Sequence, residues 1–323
     1  MTTPPKTSRK KAHSGSKGLH PRNIHRDGYN FEQLAIACPD LKPYIVQNIY
    51  GNSAINFADP AAVKNLNKAL LKKDYNIDAW DIPDGFLCPP VPGRVDYLHY
   101  IADLLKVGDT NAAAAKIKLL DIGTGANGIY ALLACKAYGW HCTASDINPT
   151  ALNNVETIVE KNKSIKGNLT LRLQSDKSHI FTGIIHDNEY FDVSVCNPPF
   201  HASLDEALKG NRKKRHNLEA KRLSASPQSA SLATLPALNF GGQNAELWCK
   251  GGEHKFLRTM IKESHIYSKQ CRWFTTLVSK SDNLKPAKKL LQKLHAANIK
   301  EIEMKQGQKI TRILAWSFEP IPN

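Results

Sequence analysis

The segment Asn197-Pro198-Pro199-Phe200 holds the residue types needed to handle a planar amine. An exocyclic amine on a heteroaromatic ring is a poor nucleophile, because its lone pair is delocalised into the ring. Two acceptors aimed at its two N–H bonds would hold the amine and favour a tetrahedral nitrogen whose lone pair faces an electrophile. Such acceptors act through positioning and electrostatics. The Asn197 side-chain oxygen and the Pro198 carbonyl can be that pair. Pro198 and Pro199 fix φ at consecutive positions and stiffen the backbone, and Phe200 offers a face on which a base can stack. No strong base is required, since the cationic amine formed in the reaction can release its proton to solvent. The plainer reading is a rigid strand exit without chemistry.

A second constellation precedes it. Gly123-Thr124-Gly125-Ala126-Asn127-Gly128 fits G-x-G-x-x-G, and Asp146 follows 18 residues beyond the last glycine. Between a strand and a helix these are the elements of a nucleotide-cofactor turn. A dinucleotide would place its pyrophosphate over the glycines, where a helix N-terminus welcomes an anion. Asp121, two residues before the first glycine, would repel that anion and attract a cation. S-adenosylmethionine carries an ammonium and a sulfonium and no phosphate, so the acid favours a methyl donor over a nicotinamide cofactor. Asp146 is placed to accept hydrogen bonds from ribose hydroxyls with either ligand.

These residues need a scaffold that brings them to one edge. A short apolar strand is expected at 116–122 and further strands at 141–146, 169–173 and 191–196, with helices near 127–138 and 150–161 between them. Further on, a helix near 253–267, a strand at 273–278, a helix at 286–297 and strands at 301–305 and 313–318 complete the pattern. Alternating strands and helices imply an α/β fold, a Rossmann-like, mostly parallel sheet covered on both faces. The last two strands are too close in sequence for a parallel crossover and should pair antiparallel. This methyltransferase-type domain covers 113–323. Residues 28–112 read as a mainly helical N-terminal region that caps substrate and cofactor. Within it Asp59-Pro60 caps an amphipathic run at 61–73, 84–94 is a proline-rich loop, and a helix begins near Val95. Residues 201–250, directly after the fourth strand, interrupt the alternation as an insert of lid size.

The chain has 323 residues, 44 Lys and Arg against 29 Asp and Glu, and a formal charge of +15. That balance favours a polyanionic partner, nucleic acid before membrane. Residues 1–26 hold seven basic residues and no acid, and 1–27 reads as a disordered basic arm. Lys10, Lys11, Arg22 and Arg26 in the arm are expected to contact RNA phosphates. So are Arg212, Lys213, Lys214 and Arg215 in the insert, and Lys309 and Arg312 beside Lys305 at the C-terminal strand pair. Tyr29, Phe31 and Trp248 could stack on unpaired bases, although each fits a core position better. The seven cysteines are widely spaced with no C-x-x-C, which suits free thiols, a reducing cytoplasmic setting and no metal. No apolar run reaches the ~18 residues of a membrane span.

The Asp121–Gly125 and Asn197–Phe200 pair resembles the amino-group, S-adenosylmethionine-dependent methyltransferases. Leu19-His-Pro-Arg-Asn23, Trp80 to Arg94, Asn239-Phe-Gly-Gly-Gln243, Glu246-Leu-Trp-Cys249 and Gly251-Gly-Glu253 extend the likeness to the ribosomal RNA large subunit methyltransferase F family, from about residue 18 onward. The chain is also similar to eukaryotic methyltransferase-like adenine methylases. The resemblance implies transfer of a methyl group to N6 of one adenine in 23S rRNA, on naked rRNA or on a large-subunit assembly intermediate, with no obligate protein partner. It implies a target-adenine site at Asn197, Pro198, Pro199 and Phe200. It further implies a donor site at Asp121, Gly123, Thr124, Gly125 and Asp146, with Arg94 over the donor's carboxylate and Gln174 and Asp176 at its adenine. Gly128 departs from the family loop, where Cys or Ser is common, and could loosen the turn. Guanine N2, cytosine N4 or a protein glutamine amide would suit the same acceptor pair, and a nicotinamide-dependent oxidoreductase is the more distant alternative.

Overall fold

The computed structural model describes residues 18–107, 117–200, 249–306 and 309–321. In the N-terminal region lie α1 (Phe31–Ala37), a 3-10 turn (Pro39–Tyr44), a small hairpin β1 (Ile45–Gln47) and β2 (Ser53–Ile55), α2 (Pro60–Tyr75) and α3 (Val91–Leu105). The sheet region follows with β3 (Lys118–Ile122), α4 (Ile129–Tyr138), β4 (His141–Asp146), α5 (Pro149–Lys161), β5 (Leu169–Leu173) and β6 (Phe191–Cys196). After the insert come α6 (Gly252–Ile266), β7 (Cys271–Val278), α7 (Leu284–Lys293), β8 (Asn298–Gln306) and β9 (Lys309–Ser317).

Seven strands form one sheet in the order β5-β4-β3-β6-β7-β9-β8. The first five run parallel, and β9 pairs antiparallel with both β7 and β8. This is the expected mostly parallel sheet with an antiparallel C-terminal pair. The chain leaves β3 toward β4 and β5 on one side and returns to β6 and β7 on the other. That reversal between β3 and β6 opens a crevice at the strands' carboxyl ends.

Register fixes what meets there. Ile122 pairs with Ser145 on one side and Cys196 on the other. The residues one step beyond, Gly123, Asp146 and Asn197, therefore emerge side by side. Successive strand residues face opposite sides of the sheet. Leu119, Val193, Val195 and Trp273 pack with α3 and α4, while Leu120, Ile122, Phe274 and Trp316 pack with α6 and α7. Both faces are buried, as parallel strands require.

The N-terminal region is folded onto this sheet. Trp80 Nε1 donates to the Asn127 carbonyl at 2.9 Å, Asn154 Nδ2 to the Asp81 carbonyl at 2.9 Å, and Asn162 Nδ2 to the Ala79 carbonyl at 2.7 Å. Segment 76–90 is thereby laced over the glycine turn. Residues 45–55 form a hairpin where the sequence pattern suggested helix. α3 begins at Val91 rather than near Val95, so Arg94 stands in its first turn. Pro92 is accepted there because first-turn N–H groups have no intrahelical partner to lose.

Gly18–Asp27, read from sequence as the end of a free arm, is packed against α3. The His20 N–H and Asn23 Nδ2 both donate to buried Asp96, at 2.8 and 2.9 Å, and His25 Nε2 meets the Tyr75 hydroxyl at 2.9 Å. Tyr29 and Phe31 belong to the core rather than to a stacking platform. Residues 1–17 and 201–248, with Trp248, lie outside the described residues.

Candidate active site

The crevice contains a cavity of about 630 Å³, within the range of small-ligand sites. Arg94, Gly123, Thr124, Gly125, Asp146, Gln174, Asn197, Pro198 and Pro199 all line it. Nine of the twelve residues expected in the donor and target sites thus share one cavity.

The glycine turn is held from both sides. The N–H groups of Gly123 and Thr124 donate to the Ser145 carbonyl at 2.9 and 3.0 Å, and Gly125 N–H donates to Asp146 Oδ2 at 2.8 Å. Gly123 has φ +72°, and a Cβ built there would have no atom within 4 Å. Its missing side chain leaves room beside the turn for a ligand to approach the backbone. Gly128 has φ +58°, and a Cβ would meet Val155 Cγ1 at 3.0 Å. Glycine therefore tightens this turn against α5, contrary to the expected loosening.

Asp146 accepts from Gly125 N–H through Oδ2 and from Asn148 N–H at 2.9 Å through Oδ1. Burial raises its pKa, and these N–H groups oppose the rise. Each oxygen keeps lone pairs for a diol. Arg94 Nη1 donates to the Tyr130 hydroxyl at 2.8 Å, with its guanidinium 5.5 Å from the ring centroid. The phenol orients a fixed cation on the cavity wall.

Three expected residues are placed differently. Asp121 is fully buried and does not reach the cavity wall. It points to the same face of β3 as Leu119, behind the turn. Thr124 lies close enough to favour the ionised form, yet neither its hydroxyl nor either carboxylate oxygen has an aligned hydrogen-bond partner. Burial pushes the Asp121 carboxyl up to about 7, with the Asp146 charge adding to the rise and Arg94 opposing it. Asp176 is exposed and accepts from Ser178 N–H at 2.8 Å, which turns it off the wall. Phe200 is half-buried outside the cavity lining.

The sequence reading passed over several wall residues. Phe86 and Leu87 come from the 80–94 segment, whose family likeness was the available signal. Tyr130 gave none, because its spacing reads as helix core. His179 and Ile180 lie in the loop after β5, where alternation is silent. That loop is anchored by buried Glu263, which accepts from the Ile180 and Phe181 N–H groups at 2.8 and 2.7 Å and meets His179 Nδ1 at 2.8 Å.

Among the described residues nothing donates a hydrogen bond to the buried Asn197 Oδ1. An orphaned acceptor of this kind costs free energy unless something supplies a donor. Upstream of β7, α6 closes the cavity with Lys255, Phe256 and Thr259.

A family model described as RNA methyltransferase matches residues 13–320. The chain belongs to this RNA methyltransferase family. It is 53% identical to ribosomal RNA large subunit methyltransferase F of Saccharophagus degradans, over 98% of this chain and 99% of that protein. It is 57% identical to the same-named protein of Shewanella frigidimarina, over 94% and 85%. The resemblance in the sequence is borne out. Among solved structures, the catalytic domain of human METTL16 bound to an RNA hairpin superposes with TM-score 0.74 at 30% identity, over 95% of this chain and 98% of that one. The METTL16 N-terminal domain bound to SAH superposes at 0.72 and 26% identity, over 94% and 99%. The enzyme is an S-adenosylmethionine-dependent RNA methyltransferase.

The wall fits such a donor. It offers the open glycine turn, a carboxylate at Asp146 able to accept from a diol, and a guanidinium at Arg94 able to pair with a carboxylate. Among the described residues no group of three or more His, Cys, Asp or Glu could hold a metal, and no helix is long and apolar enough to cross a membrane.

The expected RNA-contacting cations are less free than their charge suggests. Arg22 Nη2 donates to the His99 carbonyl at 2.7 Å and pairs with Asp103 at 2.5 Å. Arg26 donates to the Pro21 carbonyl at 3.3 Å. Arg312 stands 3.5 Å from Glu301 and 3.6 Å from Glu303. Lys10, Lys11, Arg212, Lys213, Lys214, Arg215 and the Lys309 side chain lie outside the described residues.

Proposed function

We propose that this enzyme methylates the exocyclic N6 of one adenine in the 23S rRNA of the large ribosomal subunit, in the cytoplasm. The carrying observation is the buried Asn197 Oδ1, without a donor among the described residues, on the wall of the cavity that also holds the glycine turn. When bound, S-adenosylmethionine supplies an electrophilic methyl group on sulfur. Asn197 Oδ1 and the Pro198 carbonyl accept the two amine N–H bonds and point the nitrogen lone pair at that carbon. Pro198 and Pro199 keep both acceptors rigid, so little reorganisation is needed as charge develops on nitrogen. The adenine must leave its stack to enter a cavity of this depth. Its surplus proton passes to solvent.

The test is to incubate the protein and labelled donor with naked rRNA, an assembly intermediate and the mature subunit, then digest to nucleosides and map the label. N6-methyladenosine at a single site supports the reading. Label in guanosine, cytidine or protein would replace it. Asn197→Ala should lower kcat by about 10²–10³-fold, the cost of one preorganised transition-state contact, while donor affinity by calorimetry is retained. A near-native rate would remove Asn197 from the chemistry.

A further inference from the structure

The basic runs singled out in the sequence leave aside the region with the largest charge. Residues 250–297 carry eleven Lys and Arg against three acids. The structure sorts these charges. Glu253 is buried and accepts from the Ser279 N–H at 2.5 Å and the Lys280 N–H at 3.1 Å. Glu263 is buried against the loop at 180–182. Of the three acids only Asp282, in the turn before α7, remains exposed.

The cations do the opposite. At 3.6 residues per turn, His254, Lys255, Arg258 and Lys262 fall within an arc of about 100° on α6, and all four are exposed. On α7, Lys285, Lys289 and Lys293 share the face away from buried Leu284, Ala287 and Leu291. Lys288 pairs with Glu301. The two helices meet along a cavity of about 200 Å³ lined by His254 and Arg258 from α6 and Pro286, Ala287 and Leu290 from α7. Position gives the surface its meaning: Lys255, Phe256 and Thr259 line the active-site cavity, and Arg258 and Lys262 continue outward from Lys255 along the same helix face.

We propose that the exposed face of α6 and α7 is a phosphate-binding track for the RNA strand flanking the target base. It deepens the reading above and rests on RNA being the substrate. Solvated lysines alone would not require both helical acids to be buried and tied to N–H donors, nor the row to begin on the cavity wall.

The experiment compares R258A/K262A/K289A with K161A/K163A/K166A. The second variant loses the same charge at the end of α5, on the opposite edge of the sheet. Binding of a large-subunit rRNA transcript is measured from about 50 to 200 mM salt. Each lost single-strand phosphate contact should lower the slope of log K against log salt by about 0.7. The track variant should therefore lose about 2 slope units and raise KM for the transcript about tenfold or more, with kcat at saturating RNA and donor affinity kept. The control should change neither slope nor KM by as much as half that. R258K/K262R/K289R should restore binding. Equal effects in the two alanine variants, or an unchanged slope, would overturn the track. Should donor affinity fall, the single variants R258A and K262A decide, each with its own decrement of about 0.7. If the native protein labels no rRNA base but the track variant still loses slope, the reaction assignment fails and the surface stands.

Discussion

Replacing Asp121 by Asn isolates a buried carboxyl that the fold holds at an unusual pKa. The group moves from its ordinary 3.8 up to about 7. Burial is the main cause, and among the described residues neither oxygen has an aligned hydrogen-bond partner. A carboxyl raised on folding binds a proton in the native state that the unfolded chain has already lost. Its contribution to stability is full below about pH 4 and is lost as pH rises through 7. The whole shift, 7 − 3.8, is worth about 4 kcal/mol at 1.36 kcal/mol per unit. About 2.5 kcal/mol of that falls between pH 5 and pH 8.

Asparagine cannot ionise and keeps nearly the same shape. The variant should therefore gain on the native protein as pH rises, by about 2.5 kcal/mol from pH 5 to pH 8. The assay is urea unfolding of both proteins at several pH values, read as the difference between them. Taking the difference cancels His25 and His99, whose pKa values burial lowers to about 4 in both proteins. The Asp146 charge adds to the Asp121 rise, whereas the shift of Asp146 itself comes from burial opposed by backbone N–H donors. A cation in the cavity favours ionised Asp121 from behind the turn, so donor affinity should rise with pH more steeply in the native protein than in D121N. Parallel stability curves for the two proteins would refute the assignment of a protonated, unpaired carboxyl.

Other predictions follow from single contacts. Arg94→Lys keeps the charge but loses the planar group that lies over Tyr130, so donor affinity by calorimetry should fall about tenfold. An unchanged Kd would place the donor's carboxylate elsewhere. Glu263→Ala strands two buried backbone N–H groups at 180–181 and removes the partner of His179. Stability in urea should drop by about 3 kcal/mol, with KM for donor rising as the cavity wall loosens. A loss below about 0.5 kcal/mol would mean that this anchor is unimportant.

The sheet was legible because its strands announce themselves. His141–Asp146, Leu169–Leu173 and Phe191–Cys196 are short segments set between turn formers, and their alternation with helices dictates a parallel sheet. The site was legible where backbone geometry selects residue type, at the glycine turn and at the paired prolines. What stayed hidden was side-chain direction. From sequence, Asp121 is an acid next to a ligand loop. In the fold the period of two along β3 turns it inward beside Leu119, and its influence is exerted through a buried pKa rather than by contact.

Charge shows the same limit at larger scale. Counting along the chain gives +7 for residues 1–26, yet Arg22 in that stretch is consumed by Asp103 and the His99 carbonyl. On α6 and α7 a sequence of mixed sign looks like an ordinary solvated helix pair. Folding buries Glu253 and Glu263 against N–H donors and leaves the lysines and arginine outside. Net charge is a property of composition, but the field a polyanion meets depends on which acids the core has withdrawn. For this enzyme that withdrawal leaves a basic helix face that begins at Lys255 on the cavity wall. RNA affinity should therefore respond more to where a lysine is removed than to how many are.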